Sequence, residues 1–186
     1  SIASILLALA MLYHQIDETA KMEKALSENI AILESVFDSK SSRLILPLLE
    51  LATALENRNQ CSEALQVTQR ATALAQSATQ DKETKRCLSL LLVKQSILYL
   101  RLEQYQEAET FILKVLKEMP PPAGAQDETT IRILKSGLAA LYLRRGNLLP
   151  ATQILSQTAL PAVQDLLTGK TDWASFMAGF KQGLRG

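Results

Sequence analysis

The chain has 186 residues, 47% hydrophobic and 21% charged, which suits one globular domain with a continuous core and excludes a disordered chain. Twenty Lys and Arg against 19 Asp and Glu leave a formal net charge of +1, too little field to draw nucleic acid or an anionic membrane surface. The two cysteines, Cys61 and Cys87, are too few for a disulfide framework, and neither has a second Cys or a His at metal-ligand spacing. Both are expected to pack between helices, in a cytoplasmic or other reducing compartment.

Aromatic residues make up 5% of the chain and Gly occurs seven times, while Leu, Ala, Gln, Glu and Lys abound. Such a composition favours helix, and no segment reads as a strand, so the expected class is all-α. The first helix is predicted over residues 2–16, with Leu6, Leu9, Ala10 and Tyr13 on one stripe. Its apolar run of about a dozen residues is shorter than the roughly 20 a bilayer span requires, and it lacks a basic n-region, so no membrane insertion is expected. So apolar a helix needs cover on more than one side. Preceding helices of a longer protein are the expected cover, and self-association through this helix is the other.

A second helix is predicted over 20–37, capped by Asp17 or Thr19, with Met22, Ala25, Leu26, Ile30, Leu33 and Phe37 buried. The polar connector DSKSS leads to a third helix over 42–57, with Pro47 in its first turns, where a missing N–H costs little. The fourth carries Ala64, Val67, Ala71 and Leu74 on one side. After SATQDKET, with Thr79 or Asp81 as cap, a fifth helix runs over 84–102 and a sixth over 105–118, stopped by Pro120-Pro121-Pro122. A seventh runs over 127–145 and an eighth over 149–158, with Asn147 as cap and Pro150 in the first turn. Beyond it, 161–167 is a short helix, Gly169 a stop, and Trp173, Phe176, Met177 and Phe180 form one stripe of a last helix, expected to cap the final pair.

The helices therefore pair into hairpins over about 2–38, 42–78, 84–119 and 127–159, forming one repeat domain over 1–160 with capping helices over 161–186. One hairpin cannot bury enough surface alone, so the pairs must stack. They share a grammar: Ala52 is followed twelve positions on by Ala64, Ser96 by Ala108 and Ala139 by Ala151, with Leu55, Tyr99 and Tyr142 three residues after the first of each pair. The first hairpin has Ala10 and Tyr13, but its Ala25 comes fifteen on. Small residues at a fixed separation let the two backbones approach at a crossing point, and the bulky residue fills the adjacent gap.

This pattern resembles the tetratricopeptide repeat, W-x2-L-G-x2-Y, then A-x3-F, then P. Leu138-Ala139-x2-Tyr142 with Gly146 in the turn and Ala151-x3-Leu155 carries the resemblance best, and Ala108-x3-Ile112 ending at Pro120 matches the second half. The pattern's Trp is absent throughout, Ala or Ser replaces its Gly, and Thr68 stands where Phe belongs. Ala25, Ala64, Ala108 and Ala151 are spaced 39, 44 and 43 residues apart, similar to the long units of kinesin light chain-like proteins. The resemblance implies a right-handed α-solenoid whose first helices line a concave groove.

Placed on the pattern, the groove residues are Leu46, Leu49, Thr53 and Glu56, then Leu90, Val93, Ile97 and Arg101, then Ile133, Ser136, Ala140 and Arg144. The set is apolar with a charged edge, which suits a helical or extended peptide of another protein, with Arg101 and Arg144 offered to its acidic groups. It does not resemble the Lys and Asn clamp with which some such arrays grip a terminal carboxylate. Catalysis is not expected: His14, the sole histidine, has no triad arrangement beside it, and no Gly-rich phosphate loop follows a strand. No cofactor and no metal are called for. The sequence therefore points to a non-catalytic adaptor, or else to a structural arm of a larger assembly whose apolar face is permanently covered.

Overall fold

The computed structural model describes residues 2–79, 81–119, 121–122 and 124–158. Among the described residues eight α-helices follow in order: α1 (Ile2–Gln15), α2 (Thr19–Val36), α3 (Ile45–Asn57) after a 3-10 turn (Ser42–Leu44), α4 (Cys61–Ser77), α5 (Lys82–Arg101), α6 (Tyr105–Glu118), α7 (Ala125–Arg144) and α8 (Leu148–Thr158). No strand occurs among the described residues. Pro120 and the expected capping helices over 161–186, with the Trp173 to Phe180 stripe, lie outside the described residues. The chain divides into two compact units between Gln104 and Tyr105, inside the expected third hairpin.

One turn is built four times. Asp17, Asn59, Glu103 and Gly146 have φ of 58°, 61°, 57° and 76°, each two residues past the end of a first helix and two before the next begins. In each turn the following N–H donates back over five residues: Glu18 to Tyr13 O (2.9 Å), Gln60 to Leu55 O (2.9 Å), Gln104 to Tyr99 O (3.0 Å) and Asn147 to Tyr142 O (2.8 Å). An inner bond joins Asp17 to His14 O, Asn59 to Glu56 O, Glu103 to Leu100 O and Gly146 to Leu143 O. This is the Schellman arrangement, which satisfies carbonyls the helix end leaves open. The bulky residues of the sequence pattern are thus the carbonyl acceptors of the turns. Asp17 occupies the left-handed position instead of capping α2, and neither it nor Thr19 is the N-cap; Glu18 is, without a side-chain cap bond.

The turn also sets the register of the first hairpin. Counting twelve from Ala10 reaches Met22, and both are fully buried in one cluster with Ala25, Leu26 and Ala54. Met22, and not Ala25, therefore occupies the slot that Ala64, Ala108 and Ala151 fill elsewhere. A flexible thioether fills at this crossing the place that an alanine methyl takes in the other hairpins. The anomalous fifteen-residue spacing disappears.

In the unit up to Gln104, α1 packs on α2, α2 on α3, α3 on α4 and α4 on α5, and α3 also touches α5. Ile30, Leu33, Leu44, Ile45, Leu48, Leu74, Ala75 and Leu91 form its main cluster. Pro47 is the third residue of α3, where its lacking N–H has no intrahelical acceptor to lose. Thr68 is fully buried and donates its hydroxyl to Ala64 O at 2.7 Å, so the polar side chain in a Phe position is satisfied by its own helix. Asp81 caps α5, accepting from Thr84 N at 2.7 Å, and that bond, with the hydroxyl of Thr84, holds its carboxyl below the usual range.

In the second unit α7 packs against both α6 and α8. Ala108, Ile112, Leu134, Ala139, Leu141 and Ala151 are fully buried. Arg145 donates to Glu109 at 2.6 Å and to Gln106 at 3.3 Å, tying the end of α7 to α6. Asn147 directly precedes α8, and Pro150 is its third residue.

Candidate binding face

Helical spacing places Leu46, Glu50, Thr53 and Asn57 in one row along α3, and Leu90, Lys94, Ile97 and Arg101 in the matching row along α5. Leu46, Glu50, Thr53, Asn57, Lys94 and Arg101 are half-buried, and Leu90 is 37% exposed. Glu56 is only 6% exposed, yet it remains satisfied: Lys94 donates to Oε2 at 2.8 Å and Arg101 to Oε1 at 3.1 Å. Arg101 also donates to Asn59 Oδ1 at 2.9 Å. A buried carboxylate held by two cations and tied to the Asn59 turn joins α3 to α5.

This network changes the roles that the sequence pattern assigns. The pattern leaves Arg101 to await an acidic ligand, but its guanidinium already serves Glu56 and Asn59. It turns Glu56 toward a ligand, but Glu56 is the buried centre of the network. Leu49 lies in the main cluster of the first unit, and Val93 and Ile97 are buried, at 3% and 4% exposure. Of the first-unit positions, Leu46, Thr53, Leu90 and Arg101 retain surface a ligand can reach. Two further groups share the face, Glu50 and Lys94, which the repeat pattern does not mark. A single charge inside an uncharged stretch, Glu50 within 44–55 and Lys94 within 87–100, is the signal that could have found them.

In the second unit Ser136 and Ala140 are fully buried, Ser136 donating its hydroxyl to Arg132 O at 2.7 Å. Ile133 is half-buried and Arg144 exposed. The Arg144 guanidinium stacks over the Tyr105 ring, 5.4 Å from its centroid, so it too has an aromatic partner inside the unit. Tyr142 lies near Glu109, and burial together with that carboxylate pushes its hydroxyl above the ordinary phenol range.

Glu50 differs from its neighbours. No hydrogen bond or ion pair engages its carboxylate among the described residues, although His14 and Lys94 act on it electrostatically. Burial is the largest effect on it and raises its pKa, against the opposing pull of His14 and Lys94. Cys61 and Cys87 are buried free thiols. No group of three His, Cys, Asp or Glu that could hold a metal occurs among the described residues, and no described helix is long and apolar enough to cross a membrane.

Paired helices closed by one recurrent turn, with small residues at the crossings, define a tetratricopeptide-like helical repeat fold. No family model matches the chain, and no curated protein matches it. Solved structures share the fold. BtubC (BKLC) from P. vanneervenii superposes with a TM-score of 0.72 at 14% identity, covering 91% of this chain and 66% of that one. A protein described as the putative kinesin light chain nearly identical TPR-like repeats of Podosopora anserina gives 0.67 at 16% identity, covering 100% of this chain and 96% of that one. A variant of that same protein gives the same score, over 98% and 92%. The long-unit resemblance seen in the sequence thus extends to the three-dimensional fold.

Proposed function

We propose that the protein is a non-catalytic adaptor that holds a peptide segment of a partner protein on the face carried by its first helices. The observation that carries this reading is the α3 and α5 face: exposed Leu90 and half-buried Leu46 and Thr53 lie beside a charge network that fixes the backbone beneath them. Rigid apolar ground with polar groups at its edge favours a bound segment over a closed core. In the second unit, taken by itself, Ile133 and Arg144 are proposed to offer a contact of the same kind. Leu49, Glu56, Val93, Ile97, Ser136 and Ala140 support these faces from beneath.

The test is affinity capture with the chain as bait beside Leu90→Glu, with bound proteins identified by mass spectrometry. A partner lost with the variant, while circular dichroism and melting are unchanged, is the expected result. Partners retained equally by both would remove the binding role from this face. Ile97→Glu is the poorer variant, because a carboxylate at a buried position unfolds the site it is meant to probe.

A second reading, a structural arm whose apolar face is covered by other parts of an assembly, has its own observation. Along α1 and just past its end, Ile2, Ile5, Leu12 and Ile16 are exposed at 57% or more. The repeat-equivalent positions of the next two hairpins include Leu44, Ala54, Leu91 and Leu98, all fully buried. If the isolated chain associates through α1, and Ile5→Gln with Leu12→Gln restores the monomer in sedimentation, the arm reading gains over capture.

A further inference from the structure

From the arrangement around Glu50 we infer that the captured segment carries an Arg or Lys side chain flanked by apolar residues, and that Glu50 is the group that pairs with it. The inference rests on the peptide-capture reading and inverts the charge preference that Arg101 and Arg144 suggest in the sequence.

Three observations lead to it. The cations on this face are already engaged: Lys94 and Arg101 both donate to Glu56, and Arg101 also to Asn59. An acidic ligand would have to compete with a buried carboxylate for those donors, and would meet the charge of Glu50 as well. Glu50 itself is half-buried and has neither a hydrogen bond nor an ion pair among the described residues. A carboxylate has about four acceptor positions, and a guanidinium or ammonium brought to it in this poorly solvated place makes charge-assisted bonds that water at an open surface would weaken.

The surroundings supply the rest of the specificity. Leu46 lies one turn before Glu50 on α3, and Leu90 one turn before Lys94 on α5. Apolar side chains beside the cation can cover both leucines, while the aliphatic stem of Lys or Arg packs along the same surface. Burial raises the affinity of Glu50 for a proton, which marks its charged form as under-solvated; a ligand cation relieves that cost without a proton. The groups that act on Glu50 are His14 on α1 and Lys94 on α5, and their combined pull is smaller than the effect of burial.

Selection from a display library of random seven-residue peptides tests this, with the intact chain, Glu50→Gln and Leu90→Glu as three separate baits. The expected result is enrichment of Arg or Lys between apolar residues on the intact chain, loss of that preference on Glu50→Gln, and loss of binding on Leu90→Glu. For an enriched Arg peptide, replacing Arg by citrulline should weaken binding to the intact chain by about tenfold or more and to Glu50→Gln by less than about twofold, the scale of one charge-assisted pair. Enrichment of acidic peptides, or a basic preference that survives in Glu50→Gln, overturns the inference. Apolar peptides without a basic residue, lost on Leu90→Glu, would sink the inference and leave the capture reading standing. Peptides bound equally by Leu90→Glu, or no enrichment at all, would remove both.

Discussion

The hairpins α1/α2 and α3/α4 close with the same two backbone bonds around a left-handed residue, yet Ile2 on the first is 68% exposed while its counterpart Leu44 on the second is fully buried. Where α4 carries the small apolar Ala71 in the core, the equivalent place on α2 holds Asn29, buried with its amide donating to Ala3 O and its Oδ1 unpartnered. Asn29 borders an apolar cleft of about 440 Å³, walled by Ile2, Leu7, Leu33, Val36 and Phe37. The equivalent positions of the second hairpin, among them Leu44, Ile45 and Ala75, lie in the main buried cluster. The turn thus fixes how the two helices of a pair meet, and neighbouring pairs decide whether the outer stripe becomes core. Backbone closure and burial are separate properties of one repeat.

The sharpest way to break the comparison is to truncate the same position in both hairpins. Leu44→Ala should cost about 2–5 kcal/mol in urea unfolding, as for other buried leucines, whereas Ile2→Ala should stay within about 0.5 kcal/mol. Similar losses at both would mean that α1 is covered as α3 is. At the helix crossing, Met22→Ala should also lose about 2–5 kcal/mol, because Met22 is fully buried and its removal leaves a cavity. The reverse change, Ala64→Met, overpacks the second crossing and should cost about 1–3 kcal/mol. Neutral outcomes at both would show that Met22 and Ala64 do not share a slot. Smaller still is the turn: Gly146→Ala should cost about 1–2 kcal/mol from its positive φ alone, since no atom crowds an added Cβ. Asp17→Gly, at the same place in the first turn, should be neutral or gain about 0.5 kcal/mol.

The repeat is legible because close packing requires small residues, and Ala52, Ala64, Ala139 and Ala151 announce themselves by that requirement. Met22 is hidden because a long flexible side chain reads as ordinary core, and the better-looking Ala25 draws the register three residues late. The turn itself is only half legible. Gly146 advertises a left-handed residue, while Asp17, Asn59 and Glu103 adopt the same backbone without the glycine that would mark it. At the candidate face, helical period places residues on the right helices but does not tell which of them solvent reaches. Leu90 and Ile97 look alike in sequence, and burial separates them. Arg101 looks unengaged in the sequence because Glu56 and Asn59 lie more than forty residues away in the chain. Such pairings depend on how α3 and α5 stack.

Glu50 gives the smallest effect and the one that reaches furthest into function, because its counterpart on α1 is the exposed Ala8, which carries no charge. Burial raises the Glu50 carboxyl above its usual range in the folded chain, so the native state holds its proton more tightly than the unfolded state does. Stability from this group therefore falls as pH rises from the ordinary carboxylate pKa through the raised folded value, and the cost persists above that value. Glu50→Gln should accordingly raise Tm at neutral pH, and the gain should fade as pH is lowered through that window; a gain of equal size in acid would show that packing, and not charge, is responsible. Ala8→Glu puts a carboxylate at the equivalent but solvated position and should leave the dependence of Tm on pH nearly unchanged. If both variants behaved alike, the face around Glu50 would be as well solvated as that of α1, and a ligand cation would have no buried charge to relieve.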